Sequence, residues 1–121
     1  VKFSEGWSVG QVDYQSNDGK TVSLNAFHQD QVIKAPDNSE PFLSSDFCKY
    51  AGLSYGKNGM SMQPHPEMDA EFIKDLLDAK GQNLFSEPQL SQAYSSLTDD
   101  IDVDVATKML LSVLSPELKL A

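Results

Sequence analysis

The sequence is poor in several features that would assign it to a class at once. It has a single cysteine, Cys48, so no internal disulfide can form. That composition fits a reducing compartment and makes the cytoplasm the expected location. The sequence shows no charged-then-apolar leader of the secretory type. It also has no apolar run near the roughly 20 residues that span a bilayer, so we expect no transmembrane segment.

Positive charge is also scarce. The 121 residues include 9 Lys and Arg against 18 Asp and Glu, which gives a net charge of −9. Binding to the phosphates of a nucleic acid or to an anionic membrane surface requires clustered Lys and Arg side chains. We therefore expect neither a nucleic acid nor a membrane as a partner.

The composition is otherwise that of a globular protein. Hydrophobic residues make up 40% of the chain, and its length of 121 residues falls within the usual range for one domain. We find no internal repeat, low-complexity tract or linker. The apolar supply is nevertheless thin for a closed domain. If the chain is part of a larger unit, one sheet edge or face is expected to be uncovered.

The first half of the chain is typical of strands. Residues 8–15 and 21–27 are rich in strand-forming residues and flank the cluster at 16–19 (SNDG), which predicts a β-hairpin. Three further strand candidates cover residues 41–45, 51–55 and 59–63. Their turns are marked by Gly52, Gly56 and Gly59. This segment is predicted to form a β-meander.

After residue 67 the apolar spacing changes to the helical period. Asp69 is a predicted N-cap of a helix that reaches Gly81, and a second helix is predicted to begin near Ser86. A third is predicted over residues 102–114, with Pro116 as its stop. Strands followed by helices would by themselves suggest an α+β fold.

The densest chemical pattern is QPHPE at residues 63–67. His65 and Glu67 are two positions apart, and Pro66 biases His65 toward an extended backbone, in which such residues project to the same side. A histidine oriented by a carboxylate is the base-and-orienter part of a nucleophilic triad. These two residues are therefore the candidate catalytic pair.

A second His-x-acid pair, His28 and Asp30, follows the predicted strand 21–27. Together with His65 and Glu67 it could supply two imidazoles and two carboxylates to a metal such as zinc. The simpler interpretation is a strand-end histidine that hydrogen-bonds to Asp30. The spacing is common by chance, and we assign no metal ligand on these residues.

Cys48 is the only thiol that the sequence contains. With His65 and Glu67 it would complete a triad, and Lys49 could lower the pKa of the thiol. A nucleophile elbow, however, needs glycines around the nucleophile for its sharp turn, and none flank Cys48. A buried structural cysteine is the favoured interpretation.

With QPHPE the sequence resembles the class I glutamine amidotransferases, whose C-terminal signature is Gln-x-His-Pro-Glu. Three other landmarks occur in the order found in members like the glutaminase domain of GMP synthase. They are GWSVG at residues 6–10, HQDQV at 28–32, and Pro36 with SSDFC at 44–48. The resemblance covers about residues 5–80.

The resemblance implies an α/β fold with a mixed, mostly parallel sheet flanked by helices and a β-meander edge. Residues 1–121 would be the C-terminal part of one such domain, in which His65 is the triad base and Glu67 its orienting carboxylate. His28 and Asp30 match an element near the substrate or a partner surface. The family's nucleophile lies in a Gly-x-Cys-x-Gly-x-Gln elbow in the N-terminal half, and no such motif occurs in this sequence.

The implied activity is hydrolysis of the glutamine side-chain amide by a Cys-His-Glu triad, which releases ammonia and needs no cofactor. Within the family the ammonia passes to a synthase partner or acceptor domain. The alternatives are a γ-glutamyl peptide hydrolase of the same fold and a non-catalytic binding or regulatory module. A chain that supplies only the His and Glu is expected to be inactive alone and either to self-associate or to pair with a nucleophile-bearing half.

Overall fold

A computed structural model of the chain describes residues 1, 3, 6–55 and 59–114. Its five strands are β1 (Ser8–Ser16), β2 (Thr21–His28), β3 (Glu40–Ser44), β4 (Gly52–Ser54) and β5 (Met60–Met62). Its helical elements are α1 (Ala70–Leu76), a π-helical turn (Leu77–Gly81), α2 (Gln82–Leu84), α3 (Glu87–Ser96) and α4 (Val103–Leu114). The strands form one sheet in the order β2-β1-β3-β4-β5.

The predicted hairpin and meander are both present. β1 and β2 pair along their whole length around Gly19, which has a φ of +83°, and β3, β4 and β5 follow one another as a meander. Gly52, expected in a turn, is instead the first residue of β4, and Gly56 lies outside the described residues. Every pairing among the described strands is antiparallel. The parallel strands that the resemblance implies for a complete domain are therefore not supplied by these residues.

Two apolar clusters lie on opposite faces of the sheet. On β2, Leu24 belongs to one cluster and Phe27 packs against the other, as the alternation of side chains along a strand requires. The first cluster is formed with α1, the π-helical turn and α3; its buried members are Phe3, Val9, Ile73, Leu77, Phe85, Leu90 and Ala93. The second includes Ala106 of α4; its buried members are Tyr14, Val22, Leu24, Leu43, Cys48, Ala51 and Ala106.

The sheet curls so that its two outer strands approach each other. Just after β5, the Gln63 N–H donates to the carbonyl of Ala51, which precedes β4 (2.7 Å). Two residues later, the His65 N–H donates to the carbonyl of Asn25 in β2, at the other end of the strand order (2.8 Å). β1 and β3 pair only at Gln15 and Ser16 of β1, so these two strands are not paired over the rest of their length. The segment after β5 therefore bridges the two ends of the sheet.

The outer edge of β2 is engaged at two residues. Ser23 donates its N–H to Asp102 Oδ2 (2.7 Å) and accepts from the Asp102 N–H (2.8 Å). The next outward carbonyl, that of Asn25, accepts from His65. The loop between α3 and α4 and the segment after β5 thus occupy part of this edge.

The helices begin where the sequence predicts. Asp69 accepts from the Phe72 N–H (2.8 Å) as the N-cap of α1, and Ser86 forms a capping box with Gln89 at the start of α3. The first helix was expected to continue to Gly81, but its last turn is π-helical. α4 agrees with the predicted third helix, whose predicted stop at Pro116 lies outside the described residues. Among the described helices, none has the length and apolar character needed to cross a bilayer.

Gly10 of β1 lies directly beneath α3. Its φ is +85°, and a Cβ there would lie 2.1 Å from Ser96 Oγ and 3.2 Å from the Ala93 carbonyl oxygen. Ser96 cannot turn away freely, because its hydroxyl accepts from the Gln11 N–H and donates to Ala93. We expect Gly10→Ala to lower the free energy of unfolding by about 2–3 kcal/mol, as measured by urea denaturation followed by circular dichroism.

Gly19→Ala is the matched control. Gly19 has nearly the same φ, +83°, but nothing lies within 4 Å of an added Cβ. Backbone strain alone should cost about 1–2 kcal/mol there. Equal losses in the two variants would show that the approach of α3 to Gly10 is not tight.

Candidate functional site

The candidate pair lies on a four-residue turn between the sheet and α1. The Met68 N–H donates to the His65 carbonyl (3.0 Å), which closes the turn around Pro66 and Glu67. Proline suits the second position of such a turn because its ring holds φ near the required value. Asp69 follows at once as the N-cap of α1. The sequence therefore places the pair on a short connection that is held at both ends by regular structure.

The structure brings His65 and Glu67 into direct contact. His65 Nδ1 lies 2.7 Å from Glu67 Oε1, and the two side chains are 36% and 65% exposed. They meet across the turn, not along an extended segment as the sequence suggested. Because the carboxylate accepts, Nδ1 carries the proton and Nε2 is left as the basic atom of the ring. The pair is thus a histidine base in a defined tautomer that an outside group can reach.

Two side-chain amides, one buried and one half-buried, make contacts with this segment that the sequence analysis did not predict. Asn25 of β2 is fully buried and donates from Nδ2 to the Met68 carbonyl (2.9 Å). The Gln63 side-chain carbonyl accepts from the Val32 N–H (3.0 Å). An amide flanked by the apolar residues Leu24 and Ala26 is the signal that could have pointed to Asn25, since buried polar groups are normally hydrogen-bonded. The residues around Asn25 do not indicate that Met68 is its hydrogen-bond partner.

His28 is the last residue of β2. Its Nδ1 lies 3.2 Å from Gln31 Nε2, which also donates to the Gly6 carbonyl (2.8 Å). His28 also hydrogen-bonds to Asp30, as considered from the sequence, but to its backbone. The Nε2 atom of His28 is buried and has no partner among the described residues. Burial lowers the pKa of His28, and a charge on His65 lowers it further, while Asp30 opposes this.

The metal alternative gains no support from the geometry. In the described part of the chain, no three His, Cys, Asp or Glu side chains lie close enough together to hold a metal ion. Asp30 is exposed, whereas His28 is half-buried and turned toward Gln31. The two His-x-acid pairs therefore do not converge on one centre.

Cys48 is a buried thiol, as favoured from the sequence. It is 2% exposed and packs in the cluster that contains Tyr14 and Leu43. Its N–H donates to Ser45 Oγ (3.0 Å), and its thiol donates to Gln63 Oε1 (3.7 Å). Burial raises the pKa of the Cys48 thiol, which disfavours the reactive thiolate. None of these contacts directs the sulfur toward His65.

The chain is similar in sequence to a glutamine amidotransferase-like protein and to gamma-glutamyl peptidases. It is 22% identical over 112 residues to a glutamine amidotransferase-like protein of Schizosaccharomyces pombe, an alignment that covers 86% of this chain and 45% of that protein. It is 29% identical over 59 residues to gamma-glutamyl peptidase 5 of Arabidopsis thaliana, covering 49% of this chain and 24% of that protein. Gamma-glutamyl peptidase 3 of the same plant is 28% identical over 58 residues, with shares of 48% and 23%.

A solved structure has the same fold. The glutamine amidotransferase of Thermotoga maritima aligns with a TM-score of 0.59 and 16% identity, over 93% of this chain and 49% of that one. No family model matches the chain. The chain spans less than half the length of each of these relatives.

The curled sheet with its flanking helices defines an α/β protein with a glutamine amidotransferase-like fold. The names of the sequence relatives, glutamine amidotransferase-like protein and gamma-glutamyl peptidase, agree with this fold.

The contacts of Cys48 give the first test of the site. We expect Cys48→Ser to lower the free energy of unfolding by about 1 kcal/mol, because the smaller polar atom packs less well in an apolar cluster. We also expect iodoacetamide to label the native thiol much more slowly than the urea-unfolded chain, as followed by mass spectrometry. Fast, stoichiometric labelling of the folded chain would contradict a buried structural role for Cys48.

Proposed function

We propose that this chain supplies the base and the orienting carboxylate of a Cys-His-Glu site that hydrolyses the side-chain amide of glutamine. One observation carries the proposal: the 2.7 Å contact between His65 Nδ1 and Glu67 Oε1, with both side chains open to solvent. The glutamine amidotransferase-like fold and relatives support the substrate class.

The proposed reaction has two halves. In the first, His65 Nε2 takes the proton of a cysteine thiol, and the thiolate attacks the amide carbon of glutamine. The C–N bond breaks as His65 returns the proton to the leaving ammonia, which leaves a γ-glutamyl thioester. In the second, His65 deprotonates a water that attacks the thioester, and glutamate and the thiol are released. Throughout, Glu67 keeps the proton on Nδ1 and stabilises the imidazolium.

The nucleophile is proposed to come from a second segment, an N-terminal half of the same domain. Cys48 is buried, its flanking residues are Phe47 and Lys49, and its thiol bonds to Gln63. The relatives are more than twice the matched length, which leaves room for such a segment. Glutamine is the proposed substrate, a synthase or acceptor domain the proposed recipient of ammonia, and the cytoplasm the proposed location. His28 and Asp30 are proposed to lie beside the substrate or the partner segment.

A second candidate is hydrolysis of γ-glutamyl peptides. Two of the relatives are named gamma-glutamyl peptidases, and their identities of 29% and 28% exceed that of the amidotransferase-like relative. The bond cleaved is again an amide on the γ-carbon of a glutamyl group, so the same pair would serve. Turnover of glutamine and of a γ-glutamyl dipeptide by the complete enzyme separates the two candidates. Failure with both would favour a non-catalytic module.

His65 and Glu67 are expected to matter unequally in the complete enzyme. His65→Ala should lower kcat by about three orders of magnitude or more, because the thiol loses its base. Glu67→Gln should be less damaging, since an amide oxygen can still accept from Nδ1–H. The measurement is ammonia release from glutamine.

Glu71→Gln is the matched control for Glu67→Gln. Glu71 is exposed in the first turn of α1 and carries the same charge change. Turnover of glutamine by the Glu71→Gln enzyme should stay close to that of the wild type. Near-normal turnover by His65→Ala would reject the triad assignment.

The isolated 121-residue chain is expected to release no ammonia from glutamine and to self-associate. β5 is the outer strand opposite β2, and Phe72 of α1 and Leu84 of α2 are 47% and 43% exposed. Exposed edges and apolar side chains favour association between copies. Light scattering after size-exclusion chromatography measures the mass, and the ammonia assay measures turnover. A compact active monomer would contradict this expectation.

A further inference from the structure

The turn that carries His65 and Glu67 is held at both ends by one residue of β2. At its start, the His65 N–H donates to the main-chain carbonyl of Asn25 (2.8 Å). At its end, the Met68 carbonyl accepts from Nδ2 of the same residue (2.9 Å). Any residue at this position could make the first bond. The second requires a side-chain donor of this length.

The side chain of Asn25 is placed for this bond and for no other that the described residues show. It is fully buried, and its Oδ1 is a buried acceptor without a partner in that part of the structure. The Met68 carbonyl can only accept, so the nitrogen of the amide must face it. A buried acceptor without a partner costs free energy, and an apolar residue would avoid that cost. The bond to Met68 is therefore what the amide contributes.

We propose that Asn25 is a positioning residue for the His65–Glu67 pair. It reaches neither side chain of the pair; it fixes the separation of the two ends of the turn from which they project. If the Met68 end is released, the peptide of Glu67 can rotate, and Oε1 moves away from Nδ1. The proposal deepens the proposed function and rests on it for its catalytic meaning. The geometric claim can be tested without any catalysis.

The first test uses the wild-type chain and nuclear magnetic resonance. We expect a scalar coupling between Asn25 Nδ2 and the Met68 carbonyl carbon across the hydrogen bond. We also expect the ¹⁵N shifts of the His65 ring to show the proton on Nδ1. Absence of the coupling in a folded chain would overturn the proposal, whatever any variant does.

The second test replaces the amide by an apolar group with the same number of heavy atoms and the same branching. In Asn25→Leu the main-chain bond to His65 remains, and both the donor and the unpartnered acceptor are gone. We expect exchange of the His65 and Met68 amide hydrogens to accelerate about fivefold, the loss expected for one hydrogen bond. The ¹⁵N shifts of His65 should move toward a mixture of the two tautomers.

Leu24→Val is the matched control. Leu24 neighbours Asn25 on β2 but faces the opposite cluster, so this change lowers global stability without touching the turn. The His65 ring shifts should stay as in the wild type. Wild-type ring shifts in Asn25→Leu as well would overturn the positioning role, because a merely structural asparagine predicts that result.

Activity of the complete enzyme separates this proposal from the proposed function. There, Asn25→Leu should lower kcat by about 10- to 100-fold with a smaller change in KM, as expected for a misplaced base. Leu24→Val should not. If the wild-type complete enzyme never hydrolyses glutamine, the proposed function fails, and the resonance measurements still decide whether Asn25 positions the turn.

Discussion

The bridge made by residues 63–68 across the ends of the curled sheet is the constraint on which the rest of the structure depends. Its bonds to Ala51 and Asn25 join the meander to the hairpin, although β1 and β3 pair at only two residues. The bridge also sets where α1 begins, because the N-cap Asp69 follows directly. From there α1 and the π-helical turn place Ile73 and Leu77 in the first cluster. The segment with the candidate site residues is thus also the segment that closes the sheet.

The site divides its tasks between buried and exposed side chains. The candidate pair His65 and Glu67 is open to solvent, whereas the amides that hold its backbone are buried at Asn25 and half-buried at Gln63. A buried amide bonds in a low dielectric, where a hydrogen bond is stronger and more directional than in water. The geometry of an exposed turn can in this way be set from inside the protein.

The sequence could predict the features that depend on residues close to one another along the chain. Turn residues at 16–19 located the hairpin, and the caps at Asp69 and Ser86 located the first turns of α1 and α3. The adjacency of His65 and Glu67 followed from their spacing, although the turn that joins them was not foreseen. Contacts between residues far apart along the chain could not be predicted in this way.

Three results show where local chemistry was insufficient. Asn25 read as an ordinary polar residue of a strand, because its partner Met68 is 43 positions away. Gln31 contacts His28 in addition to Asp30, because the loop after β2 folds back over the end of the strand. The order of the strands brings β2 next to the segment after β5, which depends on the curl of the whole sheet.

The covering of the β2 edge has a consequence for how the molecule can change over time. Asp102 at Ser23 and His65 at Asn25 occupy backbone groups that a foreign strand would otherwise use. The loop that carries His65 therefore also prevents a foreign strand from pairing with this part of the β2 edge. Replacement of the imidazole would leave this edge covered, since it is the main-chain N–H of residue 65 that bonds to Asn25. Shortening the loop, in contrast, would expose the edge of β2 to pairing with a strand of another molecule. A related protein without His65 could therefore keep this loop because the loop prevents aggregation.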